Sequence, residues 1–377
     1  MKKSILSILM LTITCTTQIK SRFIRGSVYG PTHNKNEQNE PLIAFLGDIH
    51  DEDIPKQREE LISILKSFKP EEILVLVENS RSETLKQTNP TYCLARKNID
   101  TRLDAKKRTS LVHLLKNSKD IGIKAINVDY RFVQITLLEE IKLLTDVEKL
   151  KEGRFRQKFS NYEPTLSIND AIDEIKNNEQ EIQQFIQDSS SPISNIISDI
   201  FTRIAPWNKK RYISLQNHTR TLKEIRQMGF WDMIYERAVL FSKLFHGALN
   251  VPGHLEIKTL YHIAKNTNKK IIIIGTGLLH MLELEKLITN EKIGYKLIKE
   301  IGPNKNDLEP LFAPVKATMG KDFPEEERRK QLHSAVYDLT GFPVLAFDIM
   351  VKESFKQTWS KFESLNIANL FETIIEQ

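Results

Sequence analysis

Cysteine is nearly absent from this chain. Its 377 residues include two, Cys15 and Cys93. No disulfide framework follows from so few, and a zinc site built from thiolates is excluded on the same ground. If an N-terminal leader is removed, Cys93 alone remains, and it reads as a buried or idle thiol before a nucleophile. Charge of one sign is lacking too. The net charge is +6, but lysines and glutamates are interleaved along the whole length. There is no basic block threaded with aromatics, so nucleic acid is not an expected partner. Long apolar runs are missing beyond the first residues, and nothing there reaches the ~20 residues of a membrane span. There is no tandem repeat apart from one doubled unit described below.

With 40% hydrophobic residues the chain has material for a substantial core. Met1-Lys2-Lys3 followed by the apolar stretch Ile5 to Thr14 reads as a secretory signal over residues 1–21. The protein is therefore expected to be exported, as a secreted, periplasmic or lipid-anchored chain. Leu11-Thr12-Ile13-Thr14-Cys15 is similar to a lipoprotein box with Thr14 at its small-residue position. A lipid anchor at Cys15 is the one membrane attachment this pattern admits; ordinary cleavage near Thr16 to Ser21 is the other reading. Residues 22–40 are polar, with Gly30-Pro31 and Asn34-Lys35-Asn36, and predict a disordered leader.

The rest, 41–377, reads as one α/β domain with a mainly parallel sheet and flanking helices. Lys269 to His280 is its most informative stretch: four isoleucines, then Gly275-Thr276-Gly277, then Leu278-Leu279-His280. A short β-branched run of this kind predicts a strand buried on both faces. The glycines predict a sharp turn at its end, and Leu278 and Leu279 core positions. Leu42 to Leu46 followed by Gly47-Asp48-Ile49-His50 repeats the pattern far upstream. Between these lie a helix from Pro55 to Phe68, a strand ending at Glu78, a surface excursion over 79–107, a helix from Thr109 to Lys116, and a third strand from Ile123 to Val128. Strand, helix and strand in alternation mean parallel units. Residues 132–245 read as a large all-helical insertion between strands three and four, with helices at 134–152, 167–188, 211–228 and 231–245. The insertion is expected either to cap the strand ends or to stand beside them. A helix over 255–264, the fourth strand, a helix over 278–289 and a fifth strand over 295–298 follow. Residues 301–377 form a C-terminal extension of loop, helix, a strand at 343–347 and a last helix.

His50, Glu78 and His280 all fall at carboxyl ends of expected strands, with Asp48, Asp129 and Arg131 beside them. In a parallel sheet those ends share one edge, where open α/β folds bind ligands. Two imidazoles and a carboxylate suit a divalent metal, zinc, manganese or cobalt, with a position left for water. The same set without metal suits acid/base hydrolysis. Each residue also has a plain reading: the histidines as loop or capping residues, Glu78 as a helix cap, Asp129 and Arg131 as an ion pair. A third Gly-x-x-His ends at His33, but 14 glycines and 9 histidines give about a third of a chance match, and no strand precedes it.

Taken in order, these residues resemble the superfamily of TraB pheromone-shutdown proteins, Tiki metalloproteases, ChaN haem-binding lipoproteins and erythromycin esterases, as a divergent member. The resemblance rests on Gly47 with His50, Glu78 at the end of Val75-Leu76-Val77, Arg237 in Glu236-Arg237-Ala238, and Gly277 with His280. Asp129-Tyr130-Arg131 with Thr136-Leu137 is similar to a TraB-like segment. The chain departs from the pattern at Leu279, where a glycine usually precedes the second histidine. The resemblance implies a metal held by His50, Glu78 and His280, with Arg237 as a further catalytic residue and Gly47, Gly277, Asp129 and Arg131 lining the site. It favours a metal-dependent hydrolase acting on a peptide or small molecule. A non-catalytic binder of peptide or haem and a metal-free His/Glu esterase are the alternatives.

Overall fold

The structure is a computed structural model that describes residues 23–32, 40–48, 55–78, 110–129, 137, 166–189, 191–229, 232, 236, 239–240, 243, 253–309 and 365–375. The fold is mixed α/β, built on a six-stranded, mostly parallel sheet. The strands are β1 (Phe23–Pro31), β2 (Leu42–Asp48), β3 (Ile73–Val77), β4 (Lys124–Asn127), β5 (Ile271–Gly277) and β6 (Tyr295–Ile301), in the spatial order β4-β3-β5-β2-β1-β6. Pairings from β4 through β2 are parallel, and β1 runs antiparallel to both β2 and β6.

The isoleucine run forms the centre of the sheet. Ile271 to Ile274 are all fully buried, each contributing roughly 1.5–3 kcal/mol relative to exposure. Their side chains alternate between the two faces. Ile272 and Ile274 join a core with α6 (His254–Lys265), α7 (Leu278–Ile288), and the pair α3 (Ile168–Asp188) and α4 (Pro192–Gln216). Ile271 and Ile273 join a second core with α1 (Pro55–Lys66), α2 (Ser110–Asp120) and α8 (Ile367–Ile375). The sheet is thus covered on both sides.

The expected glycine turn is not what the glycines provide. Gly277 has φ −59° and ψ 142°, which any residue adopts. Gly275 lies inside β5, and a Cβ there would stand 2.5 Å from Leu114 of α2. A Cβ on Gly47 would stand 2.7 Å from the Met281 sulfur and 2.8 Å from Leu278. These glycines let helices lie close on the sheet.

Residues 23–31 correct the expectation of a disordered leader over 22–40. They form β1, buried along almost its full length. Arg25 and Ser27 are buried because α7 offers them Glu285: Arg25 Nη2 lies 3.4 Å from Glu285 and 2.9 Å from Glu300, and Ser27 Oγ donates to Glu285. Arg25 Nη1 donates to the Pro303 carbonyl at 2.6 Å. Gly26 leaves space for Leu370 of α8. Gln57 of α1 fastens the strand's start, accepting from Phe23 N and donating to Phe23 O and Leu365 O.

The helix expected over 211–228 is also corrected. It is the end of α4, which starts at Pro192 in a stretch where no separate helix is expected, followed, after a break at Asn217–Thr221, by the short α5 (Leu222–Gln227). Thr221 and Glu224 form a reciprocal capping box that starts α5. Ser167 and Asp170 start α3 in the same manner, where the sequence places a helix start. The remaining helices and strands of 42–301 described here agree with expectation within a few residues. The helices expected over 134–152 and 231–245, and the strand at 343–347, lie outside the described residues or nearly so. Among the described residues no helix is long and apolar enough to cross a membrane.

Candidate functional site

Strand connections decide where the sheet opens. From β3 the chain passes to α2 on one face; from β5, its neighbour, it passes to α7 on the other. Adjacent parallel strands that send their chains to opposite faces leave a crevice at their carboxyl ends. Glu78 and His280 meet there.

Glu78 follows the last residue of β3. Its own N–H donates to the Gly275 carbonyl at 2.8 Å, which continues the ladder one step. Its Oε2 accepts from Thr276 Oγ1 at 2.7 Å and from the Gly277 N–H at 2.8 Å. One carboxylate oxygen is thereby pinned to the end of β5. The other, Oε1, lies 3.7 Å from His280 Nε2. That is too long for a hydrogen bond. Two ligands with bonds of about 2.1 Å to one tetrahedral ion stand about 3.4 Å apart, so the spacing is near that of a shared cation.

His280 is the third residue of α7. Its other nitrogen, Nδ1, lies 3.1 Å from Glu256 Oε1. Glu256 is in the first turn of α6 and only 2% exposed, whereas the His280 side chain is 25% exposed. One imidazole therefore stands between two buried carboxylates, at the point where solvent still reaches it. Glu256 is not among the residues that the sequence singles out. A glutamate in a first helical turn is ordinary, since the helix N-terminus favours negative charge, and nothing local marks it as a partner of His280.

Asp48 is buried at the end of β2, its Cα in register with Gly277. Asp129 is buried beyond β4, one strand further out than Glu78, its N–H donating to Asn127 Oδ1 at 3.0 Å. The sheet therefore brings Asp48, Glu78, Gly277 and His280 to one edge, with Gly47 one step inside it under α7. His50, Arg131 and Arg237 lie outside the described residues, as do Cys15 and Cys93. Among the described residues no group of three or more His, Cys, Asp and Glu side chains is arranged to hold a metal ion. Comparison with protein-family models, curated proteins and solved structures gave no match to this chain.

Proposed function

We propose that the carboxyl edge of the sheet is the site of a metal-dependent, peptidase-like hydrolase, with Glu78 and His280 as two ligands and His50 as the third. The observation that carries this reading is the meeting of Glu78 Oε1 and His280 Nε2 at 3.7 Å, reached from two different strands. A nitrogen donor and a carboxylate oxygen at that spacing suit a divalent cation such as zinc, manganese or cobalt. Such a cation, when bound, activates water as a nucleophile near neutral pH. The chain's own part is to hold the donors still: Thr276 and Gly277 fix Glu78, and Glu256 faces the far side of His280. The similarity of the two Gly-x-x-His motifs to those of Tiki-like proteins supports the same reading. So does the basic start and apolar stretch of residues 1–14, which fit an exported enzyme.

In this reading the helices between β4 and β5 support the site from beside it: α3 and α4 pack with α6, the helix that carries Glu256, on one face of the sheet. The test is metal content. The purified chain should carry about one equivalent of transition metal by mass spectrometry, lost in both His50→Ala and His280→Ala while the fold is kept. Equal metal content in both variants would end the proposal. Hydrolysis that survives exhaustive chelation would replace it with metal-free catalysis by His280 and a carboxylate.

A further inference from the structure

We propose that Glu256 is the positioning residue of this site: it fixes the tautomer and orientation of His280 so that Nε2 is turned to Glu78. The assignment rests on the reading above and adds a residue to it. An ionised carboxylate only accepts hydrogen bonds. In this assignment Glu256 Oε1 accepts from Nδ1, 3.1 Å away, which places the ring proton on Nδ1. In the neutral ring Nε2 then presents its lone pair on the side where Glu78 Oε1 stands 3.7 Å away.

The placement of Glu256 argues that it serves His280 and not its own helix. The cap residue of α6 is Gly253, which makes no side-chain cap bond, and the Ile257 N–H is met by the Gly253 carbonyl. Glu256 instead turns its carboxylate across to the first turn of α7, 24 residues away in sequence. The cost of that placement is visible. Oε2 is buried and makes no hydrogen bond among the described residues. A buried carboxylate held by one such contact is a poor device for stability, where an apolar side chain of similar volume would pack without loss. A carboxylate behind the nitrogen opposite the ligand atom is the arrangement that orients metal-binding histidines.

The test uses the full chain freed of metal by chelation. Long-range proton–nitrogen NMR correlations of the His280 ring, assigned by their loss in His280→Ala, are read on the alkaline plateau of its titration. Wild type should show Nδ1–H. Glu256→Met removes the acceptor and keeps the volume; it should shift the ring toward Nε2–H, the form a free histidine side chain favours. Zinc affinity, measured by competition with a chromophoric chelator, should fall about 10–100-fold in Glu256→Met and less in Glu256→Gln, which keeps an acceptor oxygen. If Glu256→Met does not fold, Glu256→Ala supplies the same reading. A ring that stays Nδ1–H without Glu256 overturns the assignment. A wild type that binds no zinc, with a tautomer that does depend on Glu256, overturns the metal-hydrolase reading and leaves the positioning role standing.

Discussion

Helix α7 carries a buried polar cluster toward each end, and the two are built differently. Near its start, His280 stands between Glu78 and Glu256. Further along, Glu285 meets Arg25 and Ser27. In the second cluster both Arg25 and Glu285 are 1% exposed. The Arg25 guanidinium is spread over Glu285, Glu300 and the Pro303 carbonyl. That cluster locks β1 against α7 and leaves the buried Arg25 Nε without a hydrogen-bond partner among the described residues. The first is built on an imidazole, is a quarter exposed at His280, and holds Nε2 and Oε1 beyond hydrogen-bond length. Under the proposal above, the same helix sets a polar cluster that serves the fold beside one that would bind a cation.

Removing Arg25 gives the largest expected effect. Arg25→Met keeps much of the apolar stem and leaves the Glu285 carboxylate buried with only the neutral Ser27 and Tyr29 hydroxyls as donors. Breaking a buried pair from one side costs about 3–5 kcal/mol. Urea unfolding should show a shift of that size, and adding Glu285→Gln should restore most of it, because the uncompensated charge is gone. A loss under about 1 kcal/mol would refute the lock and erase the contrast between the two clusters.

In a third cluster the histidine stands between a lysine and a carboxylate. Lys243 Nζ lies 3.2 Å from His218 Nδ1, Glu236 Oε2 lies 3.8 Å from His218 Nε2, and Arg220 pairs with Glu236 at 2.8 Å. Burial first, and then Lys243 and Arg220, push the His218 pKa down from 6.5 to about 4. The folded value is below the unfolded one, so the unfolded chain takes up the proton first as pH falls. Stability from neutral His218 is complete above about pH 6.5 and is lost progressively toward pH 4, by up to about 3 kcal/mol. His262, lowered to about 4 chiefly by burial, adds loss in the same window. Unfolding free energy measured at about pH 7 and about pH 4.5 should fall more in wild type than in His218→Gln. An equal fall in both would show that His218 is not an acid-sensitive element of the fold.

What the sequence reveals follows how local each signal is. β5, β3 and β2 are legible because unbroken apolar runs end sharply at Gly277, Glu78 and Asp48, and the parallel sheet does the rest. β1 is not legible, because its burial depends on distant partners. Arg25 and Ser27 look like surface residues until Glu285 of α7 is placed over them, and Gly26 looks like a loop until Leu370 fills the space above it. The break between α4 and α5 is carried by Thr221 and Glu224, a local signal within an otherwise continuous helical pattern. Glu256 lacks even that. Its partner lies across β5, and only the packing of α6 beside α7 makes the pair.

The smallest expected effect on stability belongs to the residue expected to matter most for function. Glu78→Gln is close to isosteric. Its amide oxygen can accept from Thr276 Oγ1 and the Gly277 N–H as Oε2 does now, while its amide nitrogen faces His280 Nε2 in place of a second carboxylate. The substitution removes a negative charge beside the ring and keeps the acceptor that Thr276 and Gly277 use. The change in unfolding free energy should be within about 1 kcal/mol of zero, with a gain as acceptable as a loss, while metal content falls. If Glu78→Gln instead costs as much as Arg25→Met, the start of α7 is held by a structural ion pair of the same kind as its far end, and Glu78 belongs to the fold before it belongs to any reaction.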